Sequence, residues 1–501
     1  MKLLLLYFPI LVVSDYAEEV KQYIDHSVDP CDNFYRHACR VGGPEYFPLA
    51  IVMRELEEVL GKYSPKVYPE FADIQNDLEN STKVESFSEM VVNIYKSVCE
   101  SKQNVSDYLT GIEELLFGGE ECLSHFCLNH LVQDSNCGRV AEHIQNVLKT
   151  TDMLTGTETF EDSLRKIPIL IKEVERRNAV WGDDGLSRAS EFDQYFLQMK
   201  DATAEMIMAT PWVRNHNVSE MIVSVLEKLY VENAVETSKQ NLVKTLKDMN
   251  SVYAQCRKRY NTVPNSLIVQ FCMAYAYHVT GSEFKLQEKG ADFLKEIMAG
   301  GTLYPGIKVG YQWYHIFQHS DNRASKLGSP GFTIAHELSH ALIKGANFDI
   351  LSYFSNEARN CIQDQYKSTC KEFDEGGCRI TEKRFEENGA DVFGFEIIWS
   401  MFEEQFLKRQ KRSENIEASE DLKQFFYSSA SNLCFGEKRV ENFRDDHSPA
   451  NVRINALVNH PAFQVAFQCS DDSRMMKSKT KHCSVYGQNA PPNRRHFVST
   501  H

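Results

Sequence analysis

The strongest chemical signal in this chain of 501 residues is the run HELSH at residues 336–340. Side chains four residues apart on a helix project from the same face, so the rings of His336 and His340 can bind one cation. Zinc–nitrogen bonds of about 2.0–2.1 Å suit that arrangement, and Glu337 lies beside the rings, where it can hold the zinc-bound water. Chance alone produces this pattern in on the order of a few per cent of chains of this length, so neighbouring blocks must decide its meaning.

A second acidic pair lies in the run RFEENGADVFGFE. Glu387 and Asp391 are four residues apart, so on a helix both carboxylates face the same point. A catalytic zinc ion has three protein ligands and one open position. Glu387 can therefore be the third ligand, and Asp391 can accept the free ring N–H of a zinc-binding histidine. Taken alone, the pair also fits the solvated face of a surface helix.

The run RDDHSPANVRINALVNHPAF contains His447 and Arg453, six residues apart. Attack of water on an amide carbonyl creates an oxyanion, and a His or an Arg outside the ligand set can donate hydrogen bonds to it. Either residue alone is more often a surface or packing residue. The assignment of both residues therefore depends on the other motifs of the chain.

Five blocks in the same order resemble the neprilysin and endothelin-converting-enzyme family of secreted or membrane-anchored zinc endopeptidases. The blocks are VDPCDNFYRHAC, HELSH, ENGAD, HSPANVR and CSVYG. The similarity is strong over about residues 28–40 and 325–487 and weak between them. On these motifs the chain resembles a shortened, divergent, secreted member of that family.

The resemblance implies a role for each matching residue. Three residues would bind one catalytic zinc ion: His336, His340 and Glu387. Glu337 would be the general base, and Asp391 would support a zinc-binding histidine. His447 would stabilise the transition state, and Arg453 would contact the substrate carbonyl.

The resemblance also implies four disulfides: Cys31–Cys469, Cys39–Cys434, Cys99–Cys256 and Cys361–Cys483. Three of them would join the two ends of the chain in one catalytic domain. Six cysteines remain unassigned and can form three more bridges: Cys122, Cys127, Cys137, Cys272, Cys370 and Cys378.

The chain departs from the family pattern in three places. Counted back from His336 without gaps, the family's substrate-binding Asn-Ala-Tyr-Tyr segment falls on Lys295 to Met298, which predicts altered peptide affinity or register. Ile343 stands where the family has an Asp that supports the second histidine, a loss that typically costs about 10- to 100-fold in metal affinity or activity. Asp349 or a main-chain carbonyl is the alternative partner. The middle of the chain is also short, which predicts a reduced lid and a looser limit on substrate size.

The elements that must position these residues are mostly helices. From about Asp107 to Tyr253 the pattern is helical, and one apolar stripe is formed by Ile222, Val225, Leu226 and Leu229. The stretch from Gly300 to Phe317 is rich in glycine, aromatic and β-branched residues, which predicts short strands before the motif helix. With the resemblance, these patterns predict a two-lobed, mainly α fold with a small β component, in which a thermolysin-like catalytic domain carries a reduced helical lid.

The predicted domains are a signal peptide (residues 1–17), a discontinuous catalytic domain (18–95 and 257–501) and a smaller helical lid (96–256). The apolar run from Leu3 to Val13 is too short to cross a bilayer and is typical of a secretory signal cut between Ser14 and Ala17, with an uncleaved anchor as the alternative. Fourteen cysteines without a C-x-x-C pair suit disulfides better than free thiols. Glycosylation sequons are present at Asn80, Asn104 and Asn217.

The net charge of −15 disfavours nucleic acid or an anionic membrane surface as the main partner. The predicted partners are extracellular peptide substrates. The protein itself is predicted to be a monomer or a disulfide-stabilised single chain. The favoured interpretation is a secreted zinc metalloendopeptidase that hydrolyses internal peptide bonds of extracellular peptides or proteins. The alternative is a catalytically weakened, peptidase-like protein that binds zinc and peptides without efficient turnover. An incompletely assembled gene product would also explain the short middle.

Overall fold

The computed structural model describes residues 15–40, 47–64, 66–80, 87–101, 136–151, 156–181, 185–215, 219–261, 265–281, 290–344, 355–407, 416–434 and 447–491, together with Ser106, Tyr108 and Thr110. Its contacts divide the chain into two compact units. The first unit comprises Met1–Glu58, Asp183–Val235 and Asp292–His501, and the second comprises Val59–Gly182 and Glu236–Ala291. The predicted fold class, mainly α with a small β component, is confirmed.

The α-helices of the described ranges are numbered in chain order. They are α1 (Tyr16–Gln22), α2 (Phe34–Ala38), α3 (Phe47–Lys62), α4 (Ala72–Asn80), α5 (Phe87–Glu100), α6 (Cys137–Thr151), α7 (Gly156–Trp181), α8 (Gly185–Ala209), α9 (Pro211–Asn215), α10 (Ser219–Lys228), α11 (Ala234–Arg259), α12 (Asn265–Gly281), α13 (Gly290–Met298), α14 (Tyr311–Gln318), α15 (Arg323–Lys326), α16 (Phe332–Lys344), α17 (Asn356–Phe373), α18 (Cys378–Lys383), α19 (Phe385–Phe402), α20 (Ile416–Ser431), α21 (Ala450–Asn455), α22 (Pro461–Phe467) and α23 (Arg474–Ser478).

A three-stranded sheet lies in the first unit, with strands β1 (Tyr230–Asn233), β2 (Gly300–Leu303) and β3 (Gly306–Val309). The central strand β3 runs parallel to β1 and antiparallel to β2, so β2 is an edge strand of this sheet. Side chains alternate along β3, because Ile307 and Val309 are buried whereas Lys308 is exposed. One face of the sheet therefore packs into the core.

The predicted strands between Gly300 and Phe317 end at Val309, and residues 311–318 form the helix α14 instead. The aromatic residues of this stretch favour strands by intrinsic preference. In the fold, every residue from Tyr311 to Phe317 is buried. A helix at this place packs all of these side chains into the core. This packing outweighs the preference of the aromatic residues for a strand.

Two buried helices, α16 and α19, pack against each other at the centre of the first unit. Gly394 lies in this contact: a Cβ atom at this position would be 2.8 Å from the main-chain nitrogen of His336 and 3.0 Å from its Cα. Real side chains do not tolerate such contacts. Glycine at position 394 therefore allows the carboxylates of α19 to reach the histidines of α16.

The second unit is a bundle of the helices α4–α7, α11 and α12 around its own apolar core. It contains the disulfides Cys99–Cys137 and Cys256–Cys272. The predicted pairing of Cys99 with Cys256 is wrong. Helix α5 packs against α6, which brings Cys99 to Cys137, while Cys256 near the end of α11 meets Cys272 in the next helix.

The first unit contains the predicted disulfides Cys31–Cys469, Cys39–Cys434 and Cys361–Cys483, which are confirmed. It also contains Cys370–Cys378, which joins α17 to α18. Cys122 and Cys127 lie outside the described residues. The first three bridges tie both ends of the chain into this unit.

The units differ from the predicted domain boundaries. Residues 183–235, predicted as part of the lid, belong to the first unit, because α8 packs on α19 and β1 completes the sheet. Three members of the predicted apolar stripe are buried, Ile222, Leu226 and Leu229, whereas Val225 is partly buried, and the stripe belongs to the first unit.

The last two residues of the predicted signal peptide are part of the folded structure. Tyr16 and Ala17, which would be removed by a cut after residue 17, are each only 2% exposed in α1. Residues 1–14 and 492–501 lie outside the described ranges, as do the sequons at Asn104 and Asn217. Within the described part of the chain, no helix is both long and apolar enough to cross a membrane.

Candidate metal centre

Helix α16 directs two histidine rings toward one carboxylate of α19. Nε2 of His336 lies 3.0 Å from Nε2 of His340, and these atoms lie 3.2 and 3.1 Å from Oε2 of Glu387. All three side chains are buried. Among the described residues, this is the group of His, Cys, Asp or Glu donors whose atoms converge closely enough to hold a metal ion.

The donor set fits zinc. Two imidazole nitrogens and one carboxylate oxygen are the ligands that a catalytic zinc ion takes when a fourth position stays open. Burial would raise the pKa of Glu387, but hydrogen bonds with His336, His340 and His447 outweigh it and lower the pKa well below the ordinary range. The carboxylate is therefore held ionised, as a zinc ligand must be.

Asp391, one turn after Glu387, supports His336 from behind. Its Oδ1 lies 2.9 Å from Nδ1 of His336, an ion-pair distance without the alignment of a straight hydrogen bond. Burial would lower the pKa of His336, but Asp391 and Glu387 outweigh it and raise the pKa to about 9. Burial would likewise raise the pKa of Asp391, whereas Arg453 and His336 lower it.

Arg453 and Tyr366 both donate to Asp391. The guanidinium of Arg453 forms a two-pronged pair, with Nε 2.8 Å from Oδ2 and Nη2 2.6 Å from Oδ1. The hydroxyl of Tyr366, on α17, donates to Oδ2 at 2.9 Å. Because Arg453 is only 7% exposed, this ion pair is protected from solvent. The predicted contact of Arg453 with a substrate carbonyl stays a prediction.

His340 is supported differently from His336. Its Nδ1 is buried and has no hydrogen-bond partner among the residues the structure describes. Ile343, at the position where the resemblance predicts an aspartate, is fully buried, and its Cδ1 lies 3.5 Å from where a Cβ of residue 389 would be. The apolar side chain fills the space against α19 but offers no acceptor. Asp349, the alternative partner, lies outside the described residues.

His447 lies at the edge of the metal group. Its Nε2 is 3.1 Å from Oε2 of Glu387, its ring stacks on His336 at 6.2 Å, and its side chain is 40% exposed. The next residue, Ser448, donates to Oδ1 of Asn388 at 2.6 Å. This bond connects the HSPANVR and ENGAD blocks and brings His447 beside Glu387.

Glu337 faces strand β2. Its side chain is 9% exposed, and the hydroxyl of Thr302 lies 2.9 Å from its Oε2 and 2.7 Å from its main-chain oxygen. The gap-free register that assigned the substrate-binding segment to Lys295–Met298 is wrong as a structural prediction. Those residues belong to helix α13, and the strand that lies against the motif helix is β2.

A small cavity of about 40 Å³ adjoins Asp391 and Arg453. Its walls are largely apolar and include Phe332 and Phe395. Glu396 also lines it and accepts a hydrogen bond from the main-chain nitrogen of Val485 at 3.1 Å. Burial raises the pKa of Glu396 to about 8.

The sequence patterns miss four residues that position this site. Asn388 and Ser448 lie inside the ENGAD and HSPANVR blocks, so their presence in a motif was a usable signal. Tyr366 and Thr302 have no such signal, because their partners are 25 and 35 residues away along the chain.

The match to a protein-family model agrees with this geometry. Residues 307–483 match the model of Peptidase family M13. Among solved structures, the chain is similar to PEPO from Lactobacillus rhamnosis HN001 (DR20), with 14% identity over 87% of this chain and 75% of that chain and a TM-score of 0.39. No curated protein sequence matches the chain.

Proposed function

This chain belongs to peptidase family M13 through its residues 307–483, and on that premise we propose that it is a secreted zinc metalloendopeptidase. Its substrates are internal peptide bonds of extracellular peptides or proteins. The observation that carries the proposal is the buried, convergent group of His336, His340 and Glu387. The carboxylate of Glu337 lies on the same helix as the two histidines.

Each polar group has a separate task in this proposal. His336, His340 and Glu387 hold zinc, which when bound supplies a Lewis acid that polarises the substrate carbonyl and activates water. Glu337 takes a proton from the attacking water and delivers it to the leaving amine. His447 is partly exposed beside the metal group and donates to the oxyanion.

Asp391 and Arg453 act on the geometry of the site. Asp391 fixes the orientation of the His336 ring, and Arg453 with Tyr366 fixes Asp391. Among the described residues β2 is an edge strand of the sheet and it packs against the motif helix, so an extended peptide can add to this edge as a further strand close to the metal group. Main-chain pairing of this kind suits a substrate read in an extended conformation.

Secretion is supported by the six disulfides of the described residues and by the apolar run at the N-terminus. The helical lid predicted for residues 96–256 stays a part of this proposal. In secreted protein, N-terminal sequencing is expected to begin at or before Asp15, because Tyr16 and Ala17 are buried in the fold. A mature N-terminus after Ala17 would contradict this expectation.

A second candidate is a peptidase-like protein that binds zinc and peptides without efficient turnover. The buried Nδ1 of His340, which has no partner among the described residues, favours it. A zinc histidine normally donates its other N–H to an acceptor, and losing that acceptor lowers metal affinity or activity.

Peptide digestion by purified, zinc-loaded protein tests the proposal. Cleavage of a diverse peptide library should be abolished by a zinc chelator, restored by zinc and lost in Glu337→Gln. The matched control is Glu386→Gln, the same change at a residue of α19 that is not in the metal group. Equal, chelator-insensitive cleavage by the parent and Glu337→Gln would sink the proposal. One tightly bound zinc per chain with no cleavage would favour the second candidate.

A further inference from the structure

Strand β2 and the motif helix are joined by a hydroxyl that no motif predicts. Thr302 is the third residue of β2, the edge strand of the sheet. Its Oγ1 lies 2.9 Å from the Glu337 carboxylate and 2.7 Å from the Glu337 main-chain oxygen. A single residue of the strand thus contacts both the side chain and the backbone of the proposed base.

The alternation of β2 explains why Thr302 reaches Glu337. Residues 300 and 302 face the same side of a strand. The Cβ position of Gly300 is 3.6 Å from Cγ2 of Thr333 and 3.7 Å from Oε1 of Glu337, so this side faces α16. Leu303 points to the other side and is 75% exposed. Thr302 therefore supplies the side chain of β2 that can act on Glu337.

The chemistry of the contact suits a positioning role. A glutamate side chain has three rotatable bonds, and holding it in one conformation costs entropy that a partner must offset. A hydrogen bond to a charged group is stronger than one between neutral groups. Because Glu337 is only 9% exposed, water competes little with the hydroxyl of Thr302.

We propose that Thr302 is a positioning residue that holds the Glu337 carboxylate and links it to the substrate-binding edge of β2. This inference rests on the proposed function. A peptide paired with β2 is then in fixed register with the base, because the same strand contacts both. The hydroxyl of Thr302 bonds to Glu337, which is not one of the proposed zinc ligands, so Thr302 acts through Glu337.

The test compares Thr302→Val, which keeps the shape but removes the hydroxyl, with Thr302→Ser, which keeps the hydroxyl. Acetohydroxamate is the probe, since it chelates zinc and its hydroxamate group hydrogen-bonds to a neighbouring carboxylate. Its affinity for zinc-loaded protein is measured by calorimetry. Thr302→Val should weaken it about 10-fold or more, the value of a hydrogen bond to a charged group, and Thr302→Ser less than about twofold.

Three further readouts separate positioning from a general structural role. Zinc content should be unchanged in both variants, because neither Thr302 nor Glu337 is a ligand. In the Glu337→Gln background, the effect of Thr302→Val should fall below about twofold, because the coupled partner has gone. Thr369→Val is the control. It removes a buried hydroxyl that donates to the Gln365 carbonyl at a distance of 2.9 Å and is not part of the metal group. It should leave probe affinity unchanged.

With a cleaved peptide, Thr302→Val should lower kcat about 10-fold or more with little change in KM, and Thr302→Ser should restore it. Equal probe affinity in the parent and Thr302→Val would overturn the inference, as would a loss that persists undiminished in the Glu337→Gln background. If the parent binds the probe but cuts no peptide, the proposed function fails, and the probe affinities alone decide the role of Thr302.

Discussion

Replacing Asp391 by asparagine tests the support of the metal centre most directly. The change keeps the shape of the side chain but removes its charge. It leaves the Arg453 guanidinium, 7% exposed, without the carboxylate that it pairs with. The new amide nitrogen also faces N–H donors of Arg453 or His336 in place of one carboxylate oxygen. Breaking a buried ion pair from one side costs about 3–5 kcal/mol, so we expect a loss of that order in the unfolding free energy.

A second loss falls on the metal. Asp391 lies 2.9 Å from Nδ1 of His336 and orients the ring. Changes at such partners lower metal affinity about 10- to 100-fold, which is about 1.4–2.7 kcal/mol. Urea unfolding of the zinc-free protein measures the first loss, and competition with a chromophoric chelator at fixed pH measures the second.

The double variant Asp391→Asn/Arg453→Met separates the two losses. Removing Arg453 also removes the unpaired charge, so stability should recover relative to Asp391→Asn while zinc affinity stays low. Asp364→Asn is the matched control, because it makes the same change at an exposed position of α17 and should alter stability by no more than about 0.5 kcal/mol. A zinc affinity of Asp391→Asn within twofold of the parent would refute this account of the site.

Three further changes test other contacts. Gly394→Ala places a Cβ 2.8 Å from the main-chain nitrogen of His336. Thermal unfolding should therefore show that the free energy of unfolding falls by about 1–3 kcal/mol, and competition with a chelator should show weaker zinc binding. No change in either quantity would contradict the close packing of α16 and α19. Burial raises the pKa of Glu396 from 4.5 to about 8, so the stability from its bound proton is present below about pH 4.5 and is lost as the pH rises through 8. Urea unfolding from pH 5 to 8.5 should therefore show that the free energy of unfolding declines more steeply for the parent than for Glu396→Gln. Parallel profiles would contradict the raised pKa of Glu396. Ser448→Ala removes the 2.6 Å bond to Asn388, which should cost about 1 kcal/mol and lower kcat without changing zinc affinity; an unchanged kcat argues against a placed His447.

The sequence predicted the metal group because helical spacing is local information. His336 and His340 lie four residues apart, and their rings meet in the structure as that spacing requires. Glu387 was predicted because its block matches a family motif. The helical content followed from apolar periodicity, whereas the two-lobed fold was predicted from the family resemblance.

The remaining contacts depend on how distant elements pack, which spacing does not encode. Thr302 meets Glu337 across a strand–helix contact, and Tyr366 meets Asp391 across two helices. The gap-free register failed at Lys295–Met298 because a count of residues does not detect where a helix ends and a strand begins. The pairing of Cys99 likewise depends on the packing of α5 on α6.

The disulfide spans have a consequence for the order of assembly during synthesis. Cys31 and Cys39 must wait for partners 438 and 395 residues later, whereas the two bridges described in the second unit span 38 and 16 residues. At roughly 5–20 residues per second, the 438-residue interval lasts on the order of 20–90 s. The second unit can therefore oxidise correctly while the ribosome is still at work. The early thiols of the first unit stay exposed to wrong partners until the last segment arrives, so the yield of native protein depends on disulfide isomerisation in the compartment where it folds.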